Sequence, residues 1–430
     1  MLLVNLERPT PRARYIVRHV FERMLGWPVH LAASLEEFRA STGPKLHYGR
    51  STVEGAFHVP SSGWLEATGA QRPNILHRGT GADLVLFPEG ADFDVLAACF
   101  YLLGLVEEYP PHGLDTHGRL PVDELFIVRQ GAERIPLVDR WVLRLSQELR
   151  ARLPGLPEPM RQYRHVLTVD VDNGLKYLGR PLHRAVGASL KELLRGDPKA
   201  MRERWRVRSG AEVDPYASLA DRMTEVAGNT ARSIAFFLVR GGGPFDHAAQ
   251  VTHPAYRELI ARVGKHAAIG LHPSHESSVR PALFRDERDH LSAIAGRDVL
   301  FSRQHFLRWR VPDTLRTLNE LGVTEDHTVG FSDRIGFRAG TCTPFPWYDL
   351  EREQETPLML WPFAAMDSAL HERMGRSAEQ ALAELCAMSD AVREVNGTFI
   401  SVWHDRYLSG HREFSPWPDM MRRLVQHARA

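Results

Sequence analysis

The sequence predicts an α/β fold in which parallel strands alternate with helices and close into a barrel. Short apolar segments lie in roughly the last 270 residues of the chain, and helix-like stretches separate most of them. Near-continuous apolar runs such as 234–239 are typical of strands that helices cover on both faces. The seven segments are 166–172, 233–239, 268–272, 299–305, 328–333, 357–363 and 398–404.

Polar or charged side chains end these segments. In a barrel of this class the carboxyl ends of the parallel strands meet at one mouth, where the catalytic groups lie. The sequence therefore predicts an active site that is assembled from several strands. The residues at the strand ends include Asp170, Asp172, His272, Arg303, His305, Asp333 and His404.

Composition excludes several other classes of protein. The 54 basic residues nearly balance the 53 acidic ones, so no global field attracts a nucleic acid. No segment is apolar over the roughly 18 residues that a membrane span needs, and the amino terminus lacks an export signal. Cys99, Cys342 and Cys386 show no paired metal spacing, which fits a reducing compartment. A cytoplasmic location is expected.

A domain boundary is expected where proline becomes frequent. Residues 151–164 are rich in proline and follow a helix-like stretch at 137–149. We expect a smaller α/β domain of unknown role at 1–150, a linker at 151–164 and the barrel at 165–430.

The first motif is Thr168-Val169-Asp170-Val171-Asp172-Asn173-Gly174. Side chains alternate along a strand, so both acids point to the same face. Two close carboxylates need a cation, a basic partner or a shared proton. The alternative is that the acids cap the turn and the next helix.

Two further motifs bring imidazoles to the mouth. His272 ends a short strand, and His275 and Glu276 follow in the next turn, in a pattern typical of divalent-metal ligands. Pro273 prevents a helix from extending back through His272, so the two imidazoles need not share a helix face and His275 could equally point outward. Arg303 and His305 share a face of their strand.

Two loops complete the predicted site. The loop 336–345 exposes backbone N–H groups near Arg338, which suits an oxyanion. His404 ends the last strand beside Trp403, a usual position for a general acid next to a sugar or another flat ligand.

The order of these motifs resembles the polysaccharide deacetylases, the NodB-like carbohydrate esterases with a distorted (β/α)7 barrel. The resemblance implies that Asp170 is the general base and Asp172 a metal ligand, although the two roles could be exchanged. Ile269-Gly270-Leu271-His272 matches the family's second motif, but Glu276 stands where its second histidine is expected. The remaining ligand is then His275, Glu276 or His305, and the two histidines are favoured. Arg338 resembles the arginine of the third motif, and Asp367 resembles the acid that tunes His404.

The first 150 residues resemble an uncharacterised domain that precedes divergent deacetylases in bacteria. The resemblance rests on Phe100-Tyr101-Leu102-Leu103, Glu107-Glu108-Tyr109 and His117-Gly118-Arg119. It supports two parts in the chain and implies no role for the first.

The resemblance implies a metal-dependent deacetylase that hydrolyses the acyl bond of N- or O-acetylated sugars. A divalent ion, expected to be zinc, activates water and Asp170 takes its proton. Arg303 holds Asp170 ionised, and His404 protonates the leaving amine. Trp403, Trp347 and Tyr348 are expected to stack on the carbohydrate. The alternatives are an inert carbohydrate-binding barrel, a metal-dependent hydrolase of another small amide or a phosphoester, and an unrelated barrel with merely solvated strand ends.

Overall fold

The amino-terminal part contains a four-stranded parallel sheet. A computed structural model describes residues 1–111 and 113–429 of the chain. The strand order is β2-β1-β3-β4, and every neighbouring pair is parallel. The strands are β1 (Leu2–Leu6), β2 (Val29–Leu31), β3 (Lys45–Gly49) and β4 (Phe57–Pro60).

Helices and two small hairpins complete this part. The buried helix α3 contains nine residues, all of them apolar enough to pack in the core. The hairpins pair β5 (His77–Arg78) with β6 (Val85–Leu86) and β7 (Pro88–Glu89) with β8 (Asp92–Phe93). The helices are α1 (Pro11–Val17), α2 (Leu35–Ala40), α3 (Val95–Leu103), α4 (Phe126–Arg129) and α5 (Leu137–Arg152).

A second sheet, with nine strands, contains the remaining strands of the chain. Its order is β14-β15-β13-β12-β11-β10-β9-β17-β16, and only the β14–β15 pair is antiparallel. The strands are β9 (Arg164–Val171), β10 (Arg232–Phe237), β11 (Ala268–Leu271), β12 (Phe301–Ser302), β13 (Glu325–Asp326), β14 (Phe345–Asp349), β15 (Gln354–Leu360), β16 (Ala365–Met366) and β17 (Thr398–His404).

Helices follow most of these strands, as in the alternating order expected of parallel sheets. They are α6 (Leu182–Leu194), α7 (Pro198–Arg208), α8 (Leu219–Val226), α9 (Pro254–Val263), α10 (Pro281–Ala295), α11 (Asp313–Glu320), α12 (Ala378–Glu394), α13 (Asp405–Leu408) and α14 (Trp417–His427). Within the described residues, no helix is long and apolar enough to cross a membrane.

The sheet differs from the expected barrel in three ways. Residues 328–333, expected as a strand, have no strand structure, and β14 adds an antiparallel edge. No strand ladder joins β15 to β16 in the part of the chain that the structure describes. The residues between β15 and β16 form single hydrogen bonds to either side instead. Phe363 N donates to Val329 O, which follows β13, at 2.9 Å, and Ala364 N donates to Ile400 O of β17 at 3.0 Å.

Alternation along β9 separates two apolar clusters. Leu167, Val169 and Val171 belong to the large core, which also includes residues of the amino-terminal part. Val166 packs on the opposite face, in a small cluster with Ile400 of β17 and Phe363. Asp170 has the parity of Val166, so this strand directs it toward the inner face of the curved sheet.

Candidate metal centre and active site

Three candidate ligands from three different strands converge at the carboxyl edge of the large sheet. Asp172 follows β9, His272 follows β11 and His305 follows β12. Asp172 Oδ1 lies 3.3 Å from His272 Nε2 and 3.7 Å from His305 Nε2. One ligand atom from each of the three residues lies within 4.8 Å of the other two. Ligand atoms about 2.0–2.1 Å from a tetrahedral zinc ion are roughly 3.3 Å apart, so this spacing suits such an ion.

Hydrogen bonds orient both imidazoles toward Asp172. His272 Nδ1 lies 2.6 Å from the carbonyl oxygen of Arg303, and His305 Nδ1 lies 3.0 Å from Asp246 Oδ1. Both partners only accept, so in each neutral ring the proton sits on Nδ1 and Nε2 keeps a lone pair. The two Nε2 atoms are therefore presented as ligands.

Asp172 lacks a donor on the side that faces these rings. Its Oδ1 is buried and accepts no hydrogen bond from the described residues. Burial alone would raise the pKa of Asp172, but protonated His272, and the charges of His404 and His305 when they are protonated, outweigh it and hold the pKa well below its usual range. A bound cation would take the place of the His272 and His305 Nε2 protons and leave both lone pairs free to coordinate it. A buried, ionised oxygen among nitrogen lone pairs fits a divalent cation, and the N₂O donor set suits zinc.

Asp170 lies in the same cavity but has its own partner. Its Oδ1 accepts a hydrogen bond of 2.8 Å from Arg303 Nη1, and both side chains are buried. Arg303 also donates to Thr168 Oγ1 at 2.9 Å and to the His327 carbonyl oxygen at 2.9 Å. This set of bonds holds one carboxylate of the motif beside a fixed cation, while the other faces the imidazoles.

His404 lies on the other side of Asp172. Its Nε2 is 4.0 Å from Asp172 Oδ2, and its Nδ1 donates to Asp367 Oδ1 at 2.5 Å. Burial opposes protonation, but the charge and hydrogen bond of Asp367 raise the pKa of His404 to about 9. The ring therefore carries a proton at neutral pH.

These groups line a cavity of about 170 Å³ that also contains residues the sequence did not assign to the site. Arg406 Nη1 lies 3.8 Å from Asp172 Oδ2. His117 and Arg119, to which the sequence analysis assigned no role, reach the cavity from the amino-terminal part. Asp246, which orients His305, follows β10 in an irregular loop with no strand pattern to mark it.

His275 and Glu276 are not in the ligand cluster, which corrects the expectation that His275 binds the metal. Arg308 Nη1 lies 3.1 Å from His275 Nδ1, and the ring packs on Phe245 with centroids 4.2 Å apart. The backbone N–H of His275 donates to Asp246 Oδ1, which fixes the turn in this orientation. Glu276 is exposed and pairs with Arg280. His305 is therefore the histidine that lies in the cluster with Asp172 and His272.

Arg338 is also placed differently from the expectation. Its Nε donates to Glu108 Oε1 at 2.7 Å, and it lines a neighbouring cavity rather than facing Asp172. The loop around it binds the amino-terminal part, since Phe337 N donates to the carbonyl oxygen of Glu133. The loop is used for packing, so the oxyanion role predicted for Arg338 is corrected.

The three aromatic residues predicted to stack on a carbohydrate are buried. Trp347, Tyr348 and Trp403 are each at most 1% exposed. Tyr348 packs on Tyr15 of α1, with ring centroids 5.0 Å apart. Trp403 lies one residue before His404 on β17, so alternation turns it away from the cavity and into the large core. A substrate ring cannot reach these faces.

Comparisons with known proteins find similarity to a family model and to solved structures, each over part of the chain. Residues 2–154 match a model described as a family of unknown function (DUF7033). No curated protein matches the chain. A solved structure from Mycobacterium smegmatis named as a polysaccharide deacetylase is similar over 62% of this chain and 84% of its own, with 12% identity and a TM-score of 0.41. One from Pseudomonas aeruginosa PAO1, also named as a polysaccharide deacetylase, is similar over 62% and 85%, with 13% identity and a TM-score of 0.39. These values are too low to assign a fold or an activity to this chain.

Proposed function

We propose that the protein is a metal-dependent hydrolase that removes acetyl groups from N- or O-acetylated sugars of a glycan or glycoconjugate precursor. The observation that carries the proposal is the convergence of Asp172, His272 and His305, with two nitrogen lone pairs and one unpaired carboxylate oxygen around one point. These residues would hold a divalent ion, for which zinc is the best match.

The ion supplies Lewis-acid chemistry when it is bound: it brings the pKa of a water toward about 7 and polarises a carbonyl oxygen. Asp170 lies at the same mouth and acts as the general base, since its carboxylate is held by Arg303 through one oxygen at 2.8 Å. That bond leaves the other oxygen of Asp170 to accept a proton in the cavity.

His404 acts as the general acid. Asp367 accepts a hydrogen bond from His404 Nδ1–H, so the proton on Nε2 is the one that can pass to a leaving amine or alcohol. The pKa of about 9 keeps this proton on the ring at neutral pH. The base therefore lies beside a cation, Arg303, and the acid beside an anion, Asp367.

The acetylated sugar, as opposed to another amide, rests on the motif resemblance. Thr168–Gly174, Ile269-Gly270-Leu271-His272 and Val402-Trp403-His404 carry that resemblance. The missing second histidine of the family motif had raised the possibility of an inert binding barrel. His305 offers a nitrogen ligand in its place, which supports a functional site.

Metal analysis combined with an acetate-release assay tests the proposal. We expect about one zinc ion per chain, and acetate release from acetylated sugar oligomers that a chelator abolishes and added zinc restores. Asp333→Asn is a matched control, because Asp333 was predicted to end a strand but lies outside the strands and pairs with Arg334 instead of facing the cluster. A chain that takes up no metal but still binds acetylated sugars would favour the inert barrel. Metal uptake with cleavage of other amides only would change the substrate class.

A further inference from the structure

The small amino-terminal sheet has a cavity of its own, of about 740 Å³, at the carboxyl ends of β1 and β3. From β1 the chain leads to β2 on one side of the sheet, whereas from β3 it leads to β4 on the other side. The two loops diverge and leave a crevice between them. In open parallel sheets such a switch in strand order is where ligands bind.

A buried histidine presents an unused donor to this crevice. His47 on β3 lies beside Asn5 on β1, and the two residues are 2% and 8% exposed. Asn5 Nδ2 donates to His47 Nδ1 at 2.8 Å, so in the neutral ring the proton is on Nε2. Nε2 is buried and makes no hydrogen bond of acceptable geometry within the described residues, where the backbone of Ser51 and Glu7 Oε2 are its polar neighbours. A ligand with an acceptor oxygen would satisfy it.

The nearest acid is already occupied. Glu7 Oε2 accepts hydrogen bonds from the backbone N–H groups of Arg50 and Ser51, at 2.8 and 3.3 Å, and from Ser51 Oγ at 3.3 Å. The separation of 3.8 Å between Glu7 Oε2 and His47 Nε2 is too long for a hydrogen bond. Glu7 therefore shapes the loop after β3 and leaves the His47 donor free.

Two arginines add positive charge to the lining. Arg14 on α1 and Arg39 on α2 both line the cavity and are exposed. Arg14 uses only Nε, in a hydrogen bond to the carbonyl oxygen of Pro9, and within residues 1–111 and 113–429 neither guanidinium has an ion pair. Planar guanidinium groups bind phosphate oxygens through paired hydrogen bonds.

We propose that this crevice binds a small phosphorylated metabolite. Arg14 and Arg39 bind its phosphate, and His47 Nε2–H donates to an oxygen of the ligand. The cavity has the size of sites for whole organic ligands, so an organic group accompanies the phosphate. The proposal is independent of the hydrolase proposed above, since none of its residues belongs to the large sheet.

Calorimetric titration of the full chain tests this site. The probes are inorganic phosphate, a sugar phosphate and a nucleoside monophosphate, and each organic probe is paired with its dephosphorylated parent. The same titrations are repeated with the Asp172→Asn variant. This substitution disrupts the metal cluster, which could itself attract phosphate. We expect at least one organic phosphate to bind more tightly than both its parent and inorganic phosphate, in both proteins.

Two variants localise the binding. Arg14→Gln combined with Arg39→Gln removes exposed charges and should weaken binding on the order of tenfold or more, whereas Arg140→Gln, an exposed arginine on α5, should leave it unchanged. His47→Ala should also weaken binding, provided that its thermal unfolding stays cooperative. The proposal is wrong if no phosphorylated probe binds at millimolar concentration, if inorganic phosphate binds as tightly as the organic probes, or if the double variant binds like Arg140→Gln.

Discussion

Two buried aspartates in this protein have opposite surroundings. Asp139 on α5 has a donor for each oxygen: Arg161 Nη2 at 2.6 Å and Thr343 Oγ1 at 2.5 Å bind Oδ1, while Thr341 Oγ1 at 2.7 Å and the Cys342 N–H at 3.0 Å bind Oδ2. Asp172 Oδ1 faces two imidazole nitrogens that carry lone pairs. One cluster is complete without a ligand, whereas the other has an unpaired carboxylate oxygen to which the proposed cation would bind.

The difference separates a structural acid from a candidate functional one. Burial tends to raise the pKa of Asp139, but the charge of Arg161 and the hydrogen bonds from Thr343 and Thr341 bring it below its usual range. The protein itself therefore stabilises this charge. The bonds join α5 to the segment after the loop at 336–340 and so hold the two parts of the chain together. Around Asp172 the chain places His404 and Arg406 near Oδ2 but leaves Oδ1, the oxygen that faces the two imidazoles, without a hydrogen-bond donor among the described residues.

Replacing Asp172 is the strongest test of the comparison. Asp172→Asn keeps the size of the side chain and removes its charge, so we expect metal affinity to fall more than about 100-fold and acetate release to disappear. Metal titration of the purified variant measures the first effect. Asp333→Asn should behave like the unmodified protein, and normal metal affinity in Asp172→Asn would contradict the ligand assignment.

His404→Asn tests whether the cavity separates metal binding from proton transfer. We expect turnover to fall by about 10²–10⁴ because the general acid is lost, while metal affinity changes little. Steady-state kinetics and metal titration on the same preparation check both statements. Loss of metal together with activity would make His404 a ligand instead of an acid.

Asp139→Ala tests the complete cluster. Removing one partner of a buried pair leaves Arg161 without compensation, so the free energy of unfolding should fall by about 3–5 kcal/mol. Denaturant unfolding monitored by fluorescence measures this, with the exposed Asp298→Ala as control. The folded variant should still bind one metal ion. A stability within about 0.5 kcal/mol of the control would show that the donors around Asp139 are not structural.

Asp246→Asn has the smallest expected effect. Asn has the shape of Asp but no negative charge, so its hydrogen bond with His305 Nδ1–H is weaker and orients the ring less firmly. Metal affinity should therefore fall by about 10–100-fold. Metal titration gives the value, and Asp286→Asn, an exposed acid on α10, is the control. A loss as large as that of Asp172→Asn would place Asp246 itself on the metal.

Strand periodicity predicted part of the site because it is a local property. A period of two residues is enough to place Asp170 and Asp172 on one face, and the structure brings both to the same cavity. The same rule, applied to β17, would have turned Trp403 away from His404. The helix-like stretch predicted at 137–149 and the strand predicted at 166–172 correspond to α5 and β9.

Partner choice was not visible in the sequence. His275 and His305 are equally plausible ligands by residue type, and the turn held by Asp246 decides between them. The loop that carries Arg338 looked suited to an oxyanion because the sequence does not reveal its contact with Glu108. The two residues are 230 positions apart. Trp347 and Tyr348 are both buried, and Tyr348 packs on Tyr15 of α1 and Phe100 of α3, at a contact that no local pattern marks.

By itself, the sequence determined the alternating strands and helices, the polar strand ends and the side of each strand on which they lie, since these follow from short-range backbone geometry. Only the tertiary structure decided which imidazoles lie next to Asp172, which acid forms an ion pair with Arg303, and which aromatic side chains are exposed. Those choices depend on how distant segments pack and on which hydrogen-bond donors and acceptors remain unpaired when they do.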